Sequence, residues 1–361
     1  MDAEERYYRA VFLGERIGPE KVMISSTDSC NLFCKTCWRL EKEENPNRWS
    51  DHELTLDEIE CILRDCRELG VGSIDFTGGG EPFLRKDVFE ILARVKDHGF
   101  WATLTTNGTL LDRERIEAVI RGGLDDICFS IESTDAGVND FIRGAGVCDK
   151  VMTSLRTLQK AKRELGSDTP VVRLATVVTR HNYDRLDGLA ALAKETGVAA
   201  INFSVLLEWS TNRDLSMKGL DQGTVMEALD RIRQALDGIG IYSNLASVRR
   251  HGLFEHDLPA LCFAPWEMLF INARGDALAC CILASFYENL LGNIRDTPLT
   301  ELWFGGKMEA FRARIREGDY YPGCRRCLPE FVDIFNDRLA GIKRRHAEVR
   351  AGRAAGLRGE E

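Results

Sequence analysis

The chain has 361 residues, enough for one large domain or two to three smaller ones. Hydrophobic residues make up 44% and charged residues 29%, a globular balance that excludes a disordered chain or a coiled coil. Lys and Arg total 48 against 57 Asp and Glu, a formal net charge of −9, so global electrostatics gives no reason to expect nucleic acid as a partner.

No apolar run approaches the roughly 18–20 residues of a membrane span. The acidic, polar stretch Met1 to Arg9 is no signal peptide. A cytoplasmic protein without a membrane partner is the expectation. Twelve Cys are many for such a chain. In a reducing compartment they are more often metal ligands or catalytic thiols than disulfides.

After an N-terminal extension (residues 1–20), short β-rich runs alternate with amphipathic helical runs. Val22–Ser25, Ser73–Thr77, Trp101–Thr105, Asp126–Ile131, Val171–Val178 and Ala200–Leu206 read as strands. The first helix carries a capping box, Thr55-x-x-Glu58, with Leu56, Ile59, Leu63 and Cys66 on one face. Comparable faces recur after each strand. Six β-then-α units over residues 21–240 give an α/β fold with a parallel sheet and right-handed crossovers. An open doubly wound sheet and an incomplete barrel both satisfy this periodicity. Either places the chemistry at the C-terminal ends of the strands.

The pattern breaks after Tyr242. Residues 241–330 read as a small second domain built on a metal site. Residues 331–361 read as a helix and a basic tail, frayed from about residue 350.

Cys30-Asn-Leu-Phe-Cys34-Lys-Thr-Cys37 follows the first strand. Three thiolates at C-x3-C-x2-C spacing hold three corners of an iron–sulfur cube and leave the fourth iron open to another ligand. A zinc knuckle is the alternative. Thr77-Gly78-Gly79-Gly80-Glu81-Pro82 ends the second strand. Its glycines permit close backbone approach to a ligand, and Glu81 can accept from an ammonium.

This pairing of motifs resembles the radical S-adenosylmethionine (radical SAM) superfamily, whose fold is a partial (β/α)6 TIM-type barrel. The resemblance covers about residues 21–207. It implies that Cys30, Cys34 and Cys37 bind a [4Fe–4S] cluster whose open iron chelates SAM. Reductive cleavage of SAM would yield a 5′-deoxyadenosyl radical that abstracts hydrogen from substrate. The electron would come from an external donor of flavodoxin or ferredoxin type. By resemblance, Gly79, Gly80 and Glu81 hold the SAM ammonium and Asn107 lies near the cofactor. Ser130 and Glu132, alternating along the fourth strand, would serve the ribose hydroxyls or the SAM carboxylate. Arg143 would pair with that carboxylate. Val205 and Leu206 flank the adenine or pack in the core.

In the C-terminal half the reading is C-x12-G-x4-C … C-x2-C, from Cys262, Gly275, Cys280, Cys324 and Cys327. Four thiolates in two separated pairs satisfy tetrahedral zinc or a fully ligated iron–sulfur cube. The pattern, with Leu291-Gly292-Asn293-Ile294 and Leu302-Trp303, resembles the SPASM/twitch extension of radical SAM enzymes. One auxiliary [4Fe–4S] cluster is expected, with Cys281 as the alternative to Cys280. Cys61 and Cys66 read as core. Cys128, Cys148 and Cys281 are candidate hydrogen donors to a substrate radical, although an inert thiol is the simpler reading of each. The loop Glu208 to Arg213 reads as an ordinary connection.

The single auxiliary set resembles twitch dehydrogenases and epimerases that act on aminoglycosides. About 20 residues precede the first strand, leaving no room there for a peptide-recognition domain. The expectation is therefore a small-molecule substrate, a sugar or aminocyclitol, oxidised or epimerised in antibiotic biosynthesis. A peptide-modifying enzyme and a non-catalytic zinc or cluster protein are the alternatives.

Overall fold

The computed structural model describes residues 2–40, 52–251, 257–285 and 288–356, with side chains as far as Arg345. The N-terminal extension, which carries no element in the sequence reading, forms a helix, α1 (Ala3–Phe12), capped by the Asp2 side chain. The chain then runs β1 (Lys21–Ile24), α2 (Leu56–Glu68), β2 (Ser73–Phe76), α3 (Val88–Asp97), β3 (Trp101–Thr106), α4 (Arg113–Arg121) and β4 (Asp126–Ser130). Next come α5 (Ala136–Arg143), α6 (Val147–Leu165), β5 (Val171–Val178), α7 (Asp187–Thr196), β6 (Ala200–Val205) and α8 (Gln222–Asp237).

Local signals set these boundaries. Both halves of the Thr55/Glu58 capping box form at the head of α2. Asp112, Asp135 and Asp221 cap α4, α5 and α8 through their carboxylates. Helix α5 is an addition to the expected units, separated from α6 by Gly144 at φ 120°. Cys66 is buried on α2 as expected, but Cys61 lies on its exposed side, in reach of Arg64 Nη2 at 3.0 Å.

The remainder comprises β7 (Tyr242–Ser243), α9 (Leu245–His251), α10 (Ala264–Glu267), β8 (Met268–Ile271), β9 (Asp276–Leu278), α11 (Cys281–Ser285) and β10 (Leu290–Asn293). Helices α12 (Leu299–Phe304), α13 (Gly306–Arg316) and α14 (Glu330–Gly356) follow. The backbone of α14 stays helical through the stretch expected to fray, and residues 357–361 lie outside the described residues.

One sheet contains every strand, in the order β10-β9-β8-β1-β2-β3-β4-β5-β6-β7. Strands β1 to β7 are mutually parallel, and β8 joins β1 in parallel, Lys21 opposite Met268 and Ile24 opposite Ile271. The cysteine-bearing second unit thus shares the sheet of the first through β8. A six-stranded partial barrel leaves two open edges, and unpaired strand edges are a liability. Strand β8, with its antiparallel partners β9 and β10, covers one edge, and β7 covers the other. Helix α1 docks nearby, Tyr7 meeting Phe263 edge-on at 5.4 Å and lying under the Arg338 guanidinium of α14 at 4.0 Å.

Burial alternates along the strands in an unusual sense. On β1, β2 and β5 the residues facing the helices (Val22, Ile24, Ile74, Phe76, Val172, Leu174) are buried, while the inward-facing ones retain partial access to water. A full eight-stranded barrel packs its interior solid; this one is hollow.

Candidate active site

The inner face and the strand C-termini enclose a cavity of about 260 Å³. Cys30, Cys34 and Cys37 line it together with Gly79, Gly80, Glu81, Asn107, Ser130, Glu132 and Arg143. Residues from β2 to β6 meet around this one space, which requires the sheet to curl into a partial barrel.

Two loops are stitched together at its rim. The Gly80 and Glu81 N–H groups donate to the carbonyls of Thr27 and Ser29, at 2.6 and 2.8 Å. A Cβ on Gly79 would stand 1.8 Å from Ser25 Oγ, and one on Gly80 would stand 1.8 Å from the Ser29 carbonyl. Gly79 also sits at φ 60°. The glycines thus let the loop approach the segment carrying Cys30, rather than a ligand directly. Glu81 is buried and accepts from the Asn107 N–H (2.6 Å), the Thr106 hydroxyl (2.7 Å) and the Phe83 N–H (3.3 Å). A carboxylate offers roughly four lone-pair sites, so one acceptor position remains for an ammonium. Burial raises the Glu81 carboxyl against these three donors. Thr106 and Thr27 escaped the sequence reading; each does its work through a hydrogen bond that only the fold creates.

The cysteine loop turns back on itself, the Cys37 N–H donating to the Cys34 carbonyl at 2.9 Å. Asn107 Nδ2 donates to Asn31 Oδ1 at 2.9 Å and reaches Cys30 Sγ at 3.9 Å. Cys34 Sγ lies 3.7 Å from the Arg143 carbonyl oxygen. Burial pushes the Cys34 thiol up to about 11 and raises Cys37. Such thiols ligate once a metal displaces the proton.

Across the cavity Arg143 Nη1 bonds Glu132 Oε1 at 2.8 Å, and Glu132 Oε2 takes the Val177 N–H at 2.6 Å. Glu132 is thereby committed to protein partners, whereas Arg143 Nε is buried with no partner. An orphaned guanidinium nitrogen beside three thiols fits an anionic ligand such as a carboxylate. Val205 and Leu206 are absent from the lining; Ser204 takes that position. After β6, Trp209 and Asn212 are buried and close their own loop, the Trp209 N–H donating to Asn212 Oδ1 at 2.8 Å.

A second, small apolar cavity of about 40 Å³ lies beside β8, lined by Cys262, Cys280, Cys281, Cys324 and Cys327. The structure brings together all four expected ligands and the alternative. A hydrogen bond with Cys280, then burial, raises the Cys281 thiol, while burial and the nearby Cys281 raise Cys327. Among the described residues, no three His, Cys, Asp or Glu side chains converge closely enough to hold a single metal ion. The cysteines instead ring the two cavities, three around the first and five around the second.

The other candidate thiols are placed apart. Cys128 is buried on the inward face of β4, below the cavity lining. Cys148, at the head of α6, points to the Ser133 and Thr134 carbonyls at 3.6 and 3.8 Å, outside both cavities.

The model of the radical SAM superfamily matches residues 24–193, and that of the SPASM iron–sulfur cluster-binding domain matches residues 262–328. The chain is 26% identical over 320 residues to the tungsten-containing aldehyde ferredoxin oxidoreductase cofactor-modifying protein of Pyrococcus furiosus, covering 83% of this chain and 85% of that one. It is 26% identical over 324 residues to the PqqA peptide cyclase of Granulibacter bethesdensis, 87% and 81% of the two chains. Streptococcus suis SuiB bound to S-adenosylmethionine shares the fold at a TM-score of 0.67 and 17% identity, over 90% of this chain and 76% of that one. Three cysteines around one cavity, a glycine loop stitched to them and a second ring of cysteines thus belong to a known architecture. The chain is a member of the radical SAM superfamily with a C-terminal SPASM domain, an enzyme that uses SAM, a [4Fe–4S] cluster and auxiliary iron–sulfur chemistry.

Proposed function

We propose that this enzyme modifies a peptide by hydrogen abstraction, with one auxiliary [4Fe–4S] cluster held by Cys262, Cys280, Cys324 and Cys327. The observation that carries this reading is the relatedness, over most of both chains, to a PqqA peptide cyclase. It favours the peptide alternative over the expected sugar or aminocyclitol substrate. Epimerisation and a place in antibiotic biosynthesis are set aside with the sugar.

When bound to Cys30, Cys34 and Cys37, the cluster with SAM supplies a 5′-deoxyadenosyl radical that takes hydrogen from an unactivated C–H bond. The protein's own groups position the cofactor. The orphaned Arg143 Nε would take the SAM carboxylate, the remaining Glu81 acceptor its ammonium, and Ser130 the ribose. Cys34 and the Arg143–Glu132 pair share one wall, so cluster and carboxylate are held in register. The five auxiliary cysteines lie in an apolar enclosure, which suits electron transfer better than substrate binding.

The test is deuterium transfer. Reconstituted enzyme, SAM and reductant are incubated with deuterated short peptides or deuterated aminoglycosides, and 5′-deoxyadenosine is analysed by mass spectrometry. Deuterium from a peptide supports the reading; deuterium from aminoglycosides alone overturns it. A second reading, modification of an enzyme cofactor, is favoured by the Pyrococcus furiosus relative. It predicts label from neither set.

A further inference from the structure

The inward face of the barrel continues below the cofactor cavity. Thr105, Ser130, Ala175 and Ser204 line that cavity. Two residues back along their strands, on the same inward face, lie Thr103, Cys128, Arg173 and Asn202. The register places Asp75 of β2 opposite Thr103, and Cys128 opposite Arg173. Asp75 therefore belongs to the layer beneath the cofactor. Its side faces the interior, where it is felt electrostatically by Cys128 on β4 and by Cys281 in the auxiliary cavity.

Asp75 Oδ1 is buried and has no hydrogen-bond partner. The charges that face it come from β1 (Lys21), β4 (Asp126) and β5 (Arg173). Both cations are already engaged. Arg173 binds Asp126 through Nε and Nη2, each at 2.8 Å, and Lys21 Nζ lies 3.6 Å from Glu267 Oε1. A carboxylate oxygen withdrawn from water without its own donor is costly, and burial, against the opposing pull of Lys21 and Arg173, raises this carboxyl to about 6. A fold that needed only a filled interior would place an apolar residue there.

We infer that Asp75 is a substrate-contacting carboxylate on the floor of the chamber, and that it receives a cationic hydrogen-bond donor of the substrate, an ammonium or a guanidinium. A cation supplies the missing hydrogen bond and adds to the countercharge that Lys21 and Arg173 share with their other partners. The inference deepens the peptide reading by naming the side-chain chemistry it would admit. It rests on that reading only for the substrate's position in the chamber.

The test uses n-butylammonium, a lysine side-chain mimic, and its neutral analogue n-butanol, titrated into the cluster-loaded enzyme by saturation-transfer NMR. The wild type should prefer the ammonium by about tenfold, the effect of one charge-assisted hydrogen bond. Asp75→Asn should abolish the preference and Asp75→Glu should retain part of it. Equal binding of the two probes, or a preference that survives in Asp75→Asn, overturns the inference. Should Asp75→Asn fail to fold, the carboxyl ¹³C resonance lost in Asp75→Glu is followed in the wild type. Its titration midpoint must fall when butylammonium is added; an unmoved midpoint is an overturning result. Neither probe is a peptide, so the peptide reading can fail while this one stands.

Discussion

Arg143 and Glu132 form a pair of buried charges, 8% and 1% exposed. Removing one partner strands the other, at a typical cost of 3–5 kcal/mol. Arg143→Met should therefore lower unfolding free energy in urea by about 3 kcal/mol, while the double change Arg143→Met, Glu132→Leu should recover much of it. Both variants should lose SAM affinity, which equilibrium dialysis would show. Asp75 makes the opposite case. Its folded-state value of about 6 lies above the model-peptide 3.8, so the folded state binds the proton more tightly. Stability from this group is full below pH 4 and is lost as pH rises to 6. Asp75→Asn should flatten that part of the pH–stability curve and leave the protein roughly 1–2 kcal/mol more stable at pH 7, after allowance for water in the lumen. A variant less stable than wild type at pH 7 would assign the residue a purely structural role.

At the scale of elements, strands β1 to β6 and helix α2 are plain in the sequence, because hydrophobic periodicity and capping act over a few residues. The Val171–Val178 strand is found at the expected bounds, and Thr55 caps as expected. Thr55→Ala should cost about 1 kcal/mol in denaturant unfolding. The glycine loop was legible as a motif but not in its purpose. Its contact with Ser25 and Ser29 depends on the spacing of β1 and β2, which no local pattern encodes. Gly79→Ala should consequently disturb the cysteine loop as well as SAM binding, lowering iron content after reconstitution along with cofactor affinity. Full iron with weakened SAM binding would show that the glycine serves the ligand alone. Asp75 was invisible in the sequence for the same reason: one acidic residue in a strand gains meaning only when its neighbours prove to be paired with others.

For the whole molecule, the pairing of β8 with β1 joins the two cluster-bearing halves through one continuous sheet. The sequence divided them because the periodicity stops near Tyr242, and pairing between residues some 250 apart leaves no periodic trace. Two [4Fe–4S] clusters amount to about eight irons. Replacing Cys262, Cys324 and Cys327 by Ser should leave about four, and the variant should still bind SAM and unfold in a single transition. Two separate transitions in calorimetry would mean that the halves are independent units.

The hollow interior has an evolutionary corollary. Along β1, β2 and β5, alternate residues answer to different masters: one set is sealed beneath helices and secures the architecture, the other borders empty space. Exchanges in the second set remove little packing and so cost little solubility or abundance. A lineage can redraw the chamber's chemistry, residue by odd residue, without renegotiating its scaffold.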